Sequence, residues 1–251
     1  MLETRDLTIR FGGHVAVDRV SCAFAPGSLT AIVGPNGAGK TTYFNLISGQ
    51  LRASAGSVHL DGVDITRESA PQRTHRGLGR AFQLTQLFPG LSVLENVRLA
   101  VQSRRREGLK LWSVWLDHRN TLERAHNLVD RVKLTDRAEA PASSLPHGDQ
   151  RKLEVAMLMA LEPSVYMFDE PTAGMSVDDV PVVLDLIRAL KQQRDKTILL
   201  VEHKMDVVRE LADRIIVLHN GQLVADGEPA AVIASPVVQQ AYLGMAAEEP
   251  A

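Results

Sequence analysis

The segment Gly34-Pro-Asn-Gly-Ala-Gly-Lys40-Thr41 constrains this fold more than any other part of the chain. It satisfies G-x-x-x-x-G-K-[ST], follows the apolar run at residues 30–33 and precedes a helix-like run at residues 42–47. A buried strand, a glycine-rich turn and a helix start, in that order, make an anion cradle. Glycines let backbone N–H groups close around phosphate oxygens with no Cβ in the way. Lys40 offers a point charge to the β- and γ-phosphates and Thr41 a hydroxyl to Mg²⁺. The helix that follows adds its positive dipole end. The expected ligand is a nucleoside triphosphate.

A second element supplies acid. Val165-Tyr-Met-Phe-Asp169-Glu170 reads as an apolar strand ending in two carboxylates. Asp169 is the candidate Mg²⁺ ligand beside the phosphate loop. Glu170 is the candidate general base that polarises the attacking water.

The surroundings are those of an α/β protein. Strands are expected at residues 2–11, 20–24 and 29–33, with Pro26-Gly27 as a turn between the last two. A hairpin is expected at residues 57–65 across Asp61-Gly62, and another at residues 214–225 across Asn220-Gly221. Residues 92–145 are charged and helix-like, and residues 149–161 continue the helical pattern. Val183, Leu186, Ile187 and Leu190 fall on one face of a helix. Residues 197–201 read as a short buried strand. Strands alternating with helices imply a sheet that is parallel at its centre.

Composition removes several classes. Thirty acidic against 28 basic residues give a net charge of −2, without the basic footprint of a nucleic-acid binder. The 45% hydrophobic content supports a real core, and 251 residues suit one large α/β domain. A single cysteine, Cys22, excludes a disulfide framework and reads as a buried, inert thiol. No apolar stretch approaches the ~18 residues of a membrane span, and the first ten residues carry charges where a signal peptide needs an apolar core. A soluble cytoplasmic protein is expected.

The ordered set of Phe11, the phosphate loop, Gln83, a Leu-x-x-Gly element at Leu145, Asp169-Glu170-Pro171 and His203 strongly resembles the ATP-binding-cassette (ABC) ATPases that energise membrane transporters. The resemblance spans essentially the whole chain. It implies a P-loop NTPase with a RecA-like core, an N-terminal antiparallel β subdomain and an inserted helical subdomain at about residues 88–146. The whole chain would be one nucleotide-binding domain with a C-terminal tail from about residue 227. Phe11 would stack on adenine. Gly34, Pro35, Asn36, Gly37, Ala38, Gly39, Lys40, Thr41 and Thr42 would line ATP. Thr41, Gln83 and Asp169 would hold Mg²⁺, and Glu170 and His203 would be catalytic, His203 as the switch at the γ-phosphate.

Leu145, Pro146, His147, Gly148 and Asp149 stand where the family has its Leu-Ser-Gly-Gly-Gln signature. They would contact the ATP bound to a second cassette, in a homo- or heterodimer. Pro146 replaces the serine hydroxyl, and Asp149 replaces glutamine with a charge expected to oppose phosphate. The loop at residues 173–176 lacks the family's usual aspartate.

Phe-Gly-Gly at Phe11, Asp-Glu-Pro-Thr-Ala-Gly at Asp169, Val-Glu-His at Val201 and the ending Ala241-Tyr-Leu-Gly244 resemble the branched-chain amino acid uptake group. That implies permease subunits as partners, a periplasmic solute-binding protein indirectly, no nucleic acid, and a peripheral place on the cytoplasmic face of the inner membrane. An insertion at residues 101–120 resembles that of the longer of the group's two ATPase subunits. It carries Arg104-Arg-Arg106, Lys110, Trp112 and Trp115, which read either as a permease or headgroup contact or as a helix packed on its own domain. Two other classes stand as alternatives: an ATPase for lipid or lipopolysaccharide export, and, more remotely, a soluble cassette outside transport.

Overall fold

The computed structural model describes residues 1–81, 87–104 and 116–240. In chain order the elements are β1 (Leu2–Phe11), β2 (His14–Phe24), β3 (Leu29–Val33), α1 (Lys40–Ser48), β4 (Ala55–Leu60), β5 (Val63–Asp64), α2 (Ala70–His75), β6 (Leu78–Ala81) and α3 (Val93–Arg104). Then come α4 (Leu116–Arg131), α5 (His147–Leu161), β7 (Val165–Asp169), α6 (Val180–Gln192), β8 (Thr197–Val201), α7 (Met205–Leu211), β9 (Arg214–His219), β10 (Gln222–Gly227) and α8 (Pro229–Ile233). They divide into two compact units. One comprises Met1–Leu78, Ser164–Glu170 and the chain from Lys191 onward; the other comprises Gly79–Pro163 and Pro171–Leu190.

The first unit is built on two sheets. A four-stranded antiparallel sheet has the order β2-β1-β4-β5. The larger sheet of this unit has the order β10-β9-β3-β8-β7. Within it β3 runs parallel to β8 and β9, and β7 parallel to β8. Every residue of β3, β7 and β8 is buried, as their continuous apolar and β-branched sequences require of central parallel strands. The β9–β10 hairpin turns at Asn220 and Gly221, both at positive φ (47° and 77°), the conformation a two-residue hairpin turn demands. α1 lays Tyr43, Phe44, Leu46 and Ile47 into a core shared with both sheets. Cys22 is buried in that core.

The second strand is longer than its apolar pattern suggested. β2 starts at His14 because β1 supplies partners to His14, Val15 and Val17 ahead of Val20. The pairing is irregular there, and Arg19 takes a positive φ of 49° at the irregularity.

The second unit is mainly helical. α3 buries Val93, Leu94, Val97, Ala100 and Val101 against α4 and α5, which contribute Ala125, Leu128 and Val129, and Leu153 and Ala156. The buried amide of Asn96 accepts the Phe88 N–H (2.8 Å) and donates to the carbonyls of Phe88, Leu91 and Ser92, fixing the entry into α3. On α6, Val183, Leu186, Ile187 and Leu190 are all buried, as their spacing required. Among the described residues no helix is long and apolar enough to cross a membrane.

Candidate functional site

Three parallel strands of the first unit end together. Ile32 pairs with Val201, and Val201 pairs with Asp169, so the segments leaving β3, β8 and β7 emerge at one edge of the sheet. Crevices at the carboxyl ends of parallel strands are where α/β folds bind ligands. The segment leaving β3 is the glycine-rich loop, which opens α1 at Lys40. Gly34 has φ 149°, and a Cβ there would lie 2.1 Å from the Leu218 carbonyl oxygen. Gly39 has φ 97°, and a Cβ would lie 2.5 Å from the Ala16 carbonyl oxygen. These two glycines are thus required by the seat of the loop between β2 and β9 as well as by approach to an anion.

Lys40 is buried and folds back on its own loop. Its Nζ donates to the carbonyls of Gly34 (2.6 Å) and Pro35 (2.8 Å). Burial lowers its pKa from the ordinary lysine value, opposed by the negative charges of Glu170 and Asp169. The loop lysine and the two acids therefore share one electrostatic field.

Asp169 is buried at the last position of β7. The next residue, Glu170, leaves the strand with φ 49°, while its N–H still donates to the Val201 carbonyl (2.9 Å). Glu170 Oε1 lies 2.8 Å from His203 Nε2. His203 in turn is held from behind. The buried carboxylate of Glu202 accepts the backbone N–H groups of His203 (2.7 Å) and Lys204 (3.2 Å) at the start of α7. Glu202 lies inside the Val-Glu-His stretch, but no role was expected of it; its further signal was an acid directly after an apolar strand.

Arg73 is a second residue that sequence reasoning missed. It is buried, and its guanidinium donates to the carbonyls of Leu46 and Ile47 in the last turn of α1 and to those of Thr66 and Glu68. The helix that starts at Lys40 is thereby capped at its far end by a cation, the favourable sign for that end of the helix dipole. Phe11, at the end of β1, is 50% exposed. Thr41 and Thr42 stand in the first turn of α1. Gln83 lies outside the described residues, as do Arg105, Arg106, Lys110, Trp112, Trp115 and the segment 241–244. Arg104, at the end of α3, pairs with Glu162.

The element at residues 145–149 belongs to the second unit. Leu145 is buried, Pro146 precedes α5 with φ −56°, and His147, Gly148 and Asp149 form the first turn of that helix. The Asp149 charge, expected to oppose a phosphate, has partners within its own unit. Its carboxylate is mostly buried, 2.6 Å from Lys152 Nζ and 3.4 Å from Arg137 Nε, so its charge is compensated within the unit. Lys152 also contacts Asp179 (2.8 Å), whose other oxygen accepts the Ser176 hydroxyl (2.7 Å).

Fold and site together define a P-loop nucleotide-binding protein of the α/β class. The ABC transporter family matches residues 17–173. The chain is 36% identical over 251 residues, 98% of both chains, to the high-affinity branched-chain amino acid transport ATP-binding protein LivG of Escherichia coli K12. It is 35% identical, again over 98% of both chains, to the corresponding BraF protein of Pseudomonas aeruginosa. A crystal structure of a nucleotide-free ATP-binding cassette from an ABC transporter superposes with a TM-score of 0.81 at 28% identity, covering 96% of this chain and 98% of that one. Another such cassette in its ADP conformation gives a TM-score of 0.80, also at 28% identity, covering 97% of this chain and 98% of that one. The chain belongs to the ABC transporter family, and its enzymatic class is ATPase.

Proposed function

We propose that the chain is the ATP-hydrolysing subunit of a membrane importer for branched-chain or other hydrophobic amino acids, or related amides. The observation that carries this reading is end-to-end similarity to the branched-chain amino acid transport ATP-binding proteins, 36% identical over 98% of both chains. The chain would sit on the cytoplasmic face of the membrane against permease subunits, paired head to tail with a second cassette, with a solute-binding protein engaged indirectly.

In this reading Gly34 to Thr42 bind the phosphates through backbone N–H groups and Lys40 releases Gly34 and Pro35 to do so. Phe11, half-exposed, would cover the aromatic base. Glu170 takes the proton of the attacking water. Its 2.8 Å contact with His203 orients the carboxylate, and Glu202 fixes the backbone from which His203 projects. A hydroxyl at Thr41 and a carboxylate at Asp169 are hard oxygen donors that suit Mg²⁺, which binds through few protein ligands plus substrate phosphates. When bound, Mg²⁺ neutralises charge on the phosphates. Gln83 is assigned to the same ion by resemblance alone.

Two coupled measurements test the reading. Glu170→Gln keeps shape but removes the base, and ATP turnover should fall roughly 10²-fold or more. Cells lacking this chain should lose uptake of labelled leucine, regain it with the wild-type chain and not with Glu170→Gln. Unimpaired hydrolysis by the variant moves the base elsewhere; unchanged leucine uptake without the chain refutes the substrate class.

A further inference from the structure

Lys152 is a buried ammonium to which the reaction outlined above gives no role. It lies one turn into α5, on the same side as Asp149. Its Nζ stands 2.6 Å from Asp149 Oδ1 and 2.8 Å from Asp179 Oδ1. Asp179 Oδ2 accepts the Ser176 hydroxyl at 2.7 Å, and Asp149 Oδ2 lies 3.4 Å from Arg137. Two acids and two bases thus cancel. The lysine touches both the first turn of α5 and the segment that follows residues 173–176. The approach is close: a Cβ at Gly148 would lie 3.1 Å from Asp179 Oδ2. Lys152 and the Ser176 hydroxyl together hold the Asp179 carboxyl below the usual aspartate range.

We propose that Lys152 is a positioning residue for the element at residues 145–149, clamping the first turn of α5 to Asp179 and neutralising the carboxylate this chain carries at position 149. The proposal rests on the reading that this element contacts the nucleotide of a second cassette. It explains how an acid is tolerated where the family resemblance implies glutamine. A neutral amide needs no counter-ion, whereas a carboxylate at the N-terminal end of α5 would otherwise repel the phosphate that the helix end attracts. A mispositioned first turn weakens a contact made in hydrolysis while leaving the phosphate loop of the same chain untouched.

The test uses the purified full chain and measures kcat and KM for ATP, with thermal melts to confirm folding. Lys152→Met should lower kcat roughly 10- to 100-fold, the scale of a small misplacement near a reacting group, and leave KM within about twofold. Lys152→Arg, which restores the charge, should recover kcat to within about threefold of wild type. The Asp149→Gln/Lys152→Met pair should turn over at least about fivefold faster than Lys152→Met alone, because the carboxylate that lost its closer cation is gone. If Lys152→Met alone does not fold, the pair is measured against wild type: a folded pair within about tenfold of wild-type kcat supports the proposal, and a folded pair with no turnover overturns it. Wild-type kcat in Lys152→Met, a parallel change in kcat and KM, or no recovery in the pair would each overturn the proposal. Gly148→Asp serves as the control on the underlying reading. If it turns over normally, the element has no catalytic contact and both readings fall; if it is inactive while Lys152→Met is normal, only the role of Lys152 falls.

Discussion

Replacing Arg73 with Met should destabilise the protein far more than a surface arginine would. The side chain is 2% exposed, and its guanidinium makes four hydrogen bonds to backbone carbonyls. Methionine preserves most of the stem volume, so the loss is polar rather than a cavity. The Leu46 carbonyl keeps the Gly49 N–H (3.3 Å), and the Thr66 and Glu68 carbonyls lie where water can reach once the guanidinium is gone. The Ile47 carbonyl is left in a dry setting, at a cost of about 1–3 kcal/mol, and the other three bonds add about 1 kcal/mol each. Removing a buried cation recovers some desolvation energy, so about 3–5 kcal/mol is expected in total. For a chain of this size that lowers the melting temperature by on the order of 10 °C. Arg73→Lys should fall between, because one ammonium can reach only part of the set. Gly49 belongs to the same arrangement: a Cβ there would lie 2.8 Å from Arg73 Nε. Thermal unfolding followed by far-UV circular dichroism reads the effect. A melting point for Arg73→Met within about 2 °C of wild type would show that the cap contributes little, since each kcal/mol corresponds to at least that shift.

Other consequences follow from the site. Lys40→Ala should cause a large loss of affinity for Mg-ATP in nucleotide titration, and unchanged binding would remove the phosphate loop from the site. Pro146→Ser in a Glu170→Gln background should strengthen ATP-dependent dimerisation by on the order of 1.5–3 kcal/mol for each regained phosphate hydrogen bond. Sedimentation with and without Mg-ATP measures this, and no gain would show the proline to be neutral. Asp179 has a depressed folded pKa, so its stabilising contribution is complete above the usual aspartate value of about 3.9 and is lost as pH falls through the lower folded value. An NMR titration of its carboxyl should therefore find a midpoint below about 3.9, rising toward the ordinary range in Lys152→Met, where the Ser176 hydroxyl still acts; a midpoint at about 3.9 in wild type would refute the pairing.

Much of this architecture could be read from local pattern. The central strands announced themselves as short apolar runs because both their faces are buried, and β8 matches its expected span. The face of α6 followed from spacing alone, and Asn220-Gly221 fixed the β9–β10 hairpin because few other residues accept two positive φ values in succession. Residues 14–19 were not legible as strand, since their pairing with β1 depends on a partner that propensity does not see. The loop and the two acids were found because phosphate chemistry restricts residue types tightly. Glu202, Arg73 and Lys152 act through backbone carbonyls, N–H groups or distant acids, and such partners leave no fixed spacing in a sequence. Asp149 shows the same limit from the other side. Its charge was evident, but its compensation by Lys152 and Arg137 is a fact of three dimensions.

With Glu170 as the proposed general base, its backbone makes function and durability compete at a single residue. A glutamate at φ 49° occupies a conformation that L-residues avoid, at a cost of roughly 1–3 kcal/mol that its neighbours in the sheet must overcome. Glycine adopts that conformation freely, so an inactive Glu170→Gly chain should melt higher than the active one. Selection for stability alone would remove the glutamate, and on that proposal its presence is the mark of selection for turnover. On that proposal a thermostabilised form would keep Glu170 and seek relief at a position such as Arg19, which carries the same φ of 49°.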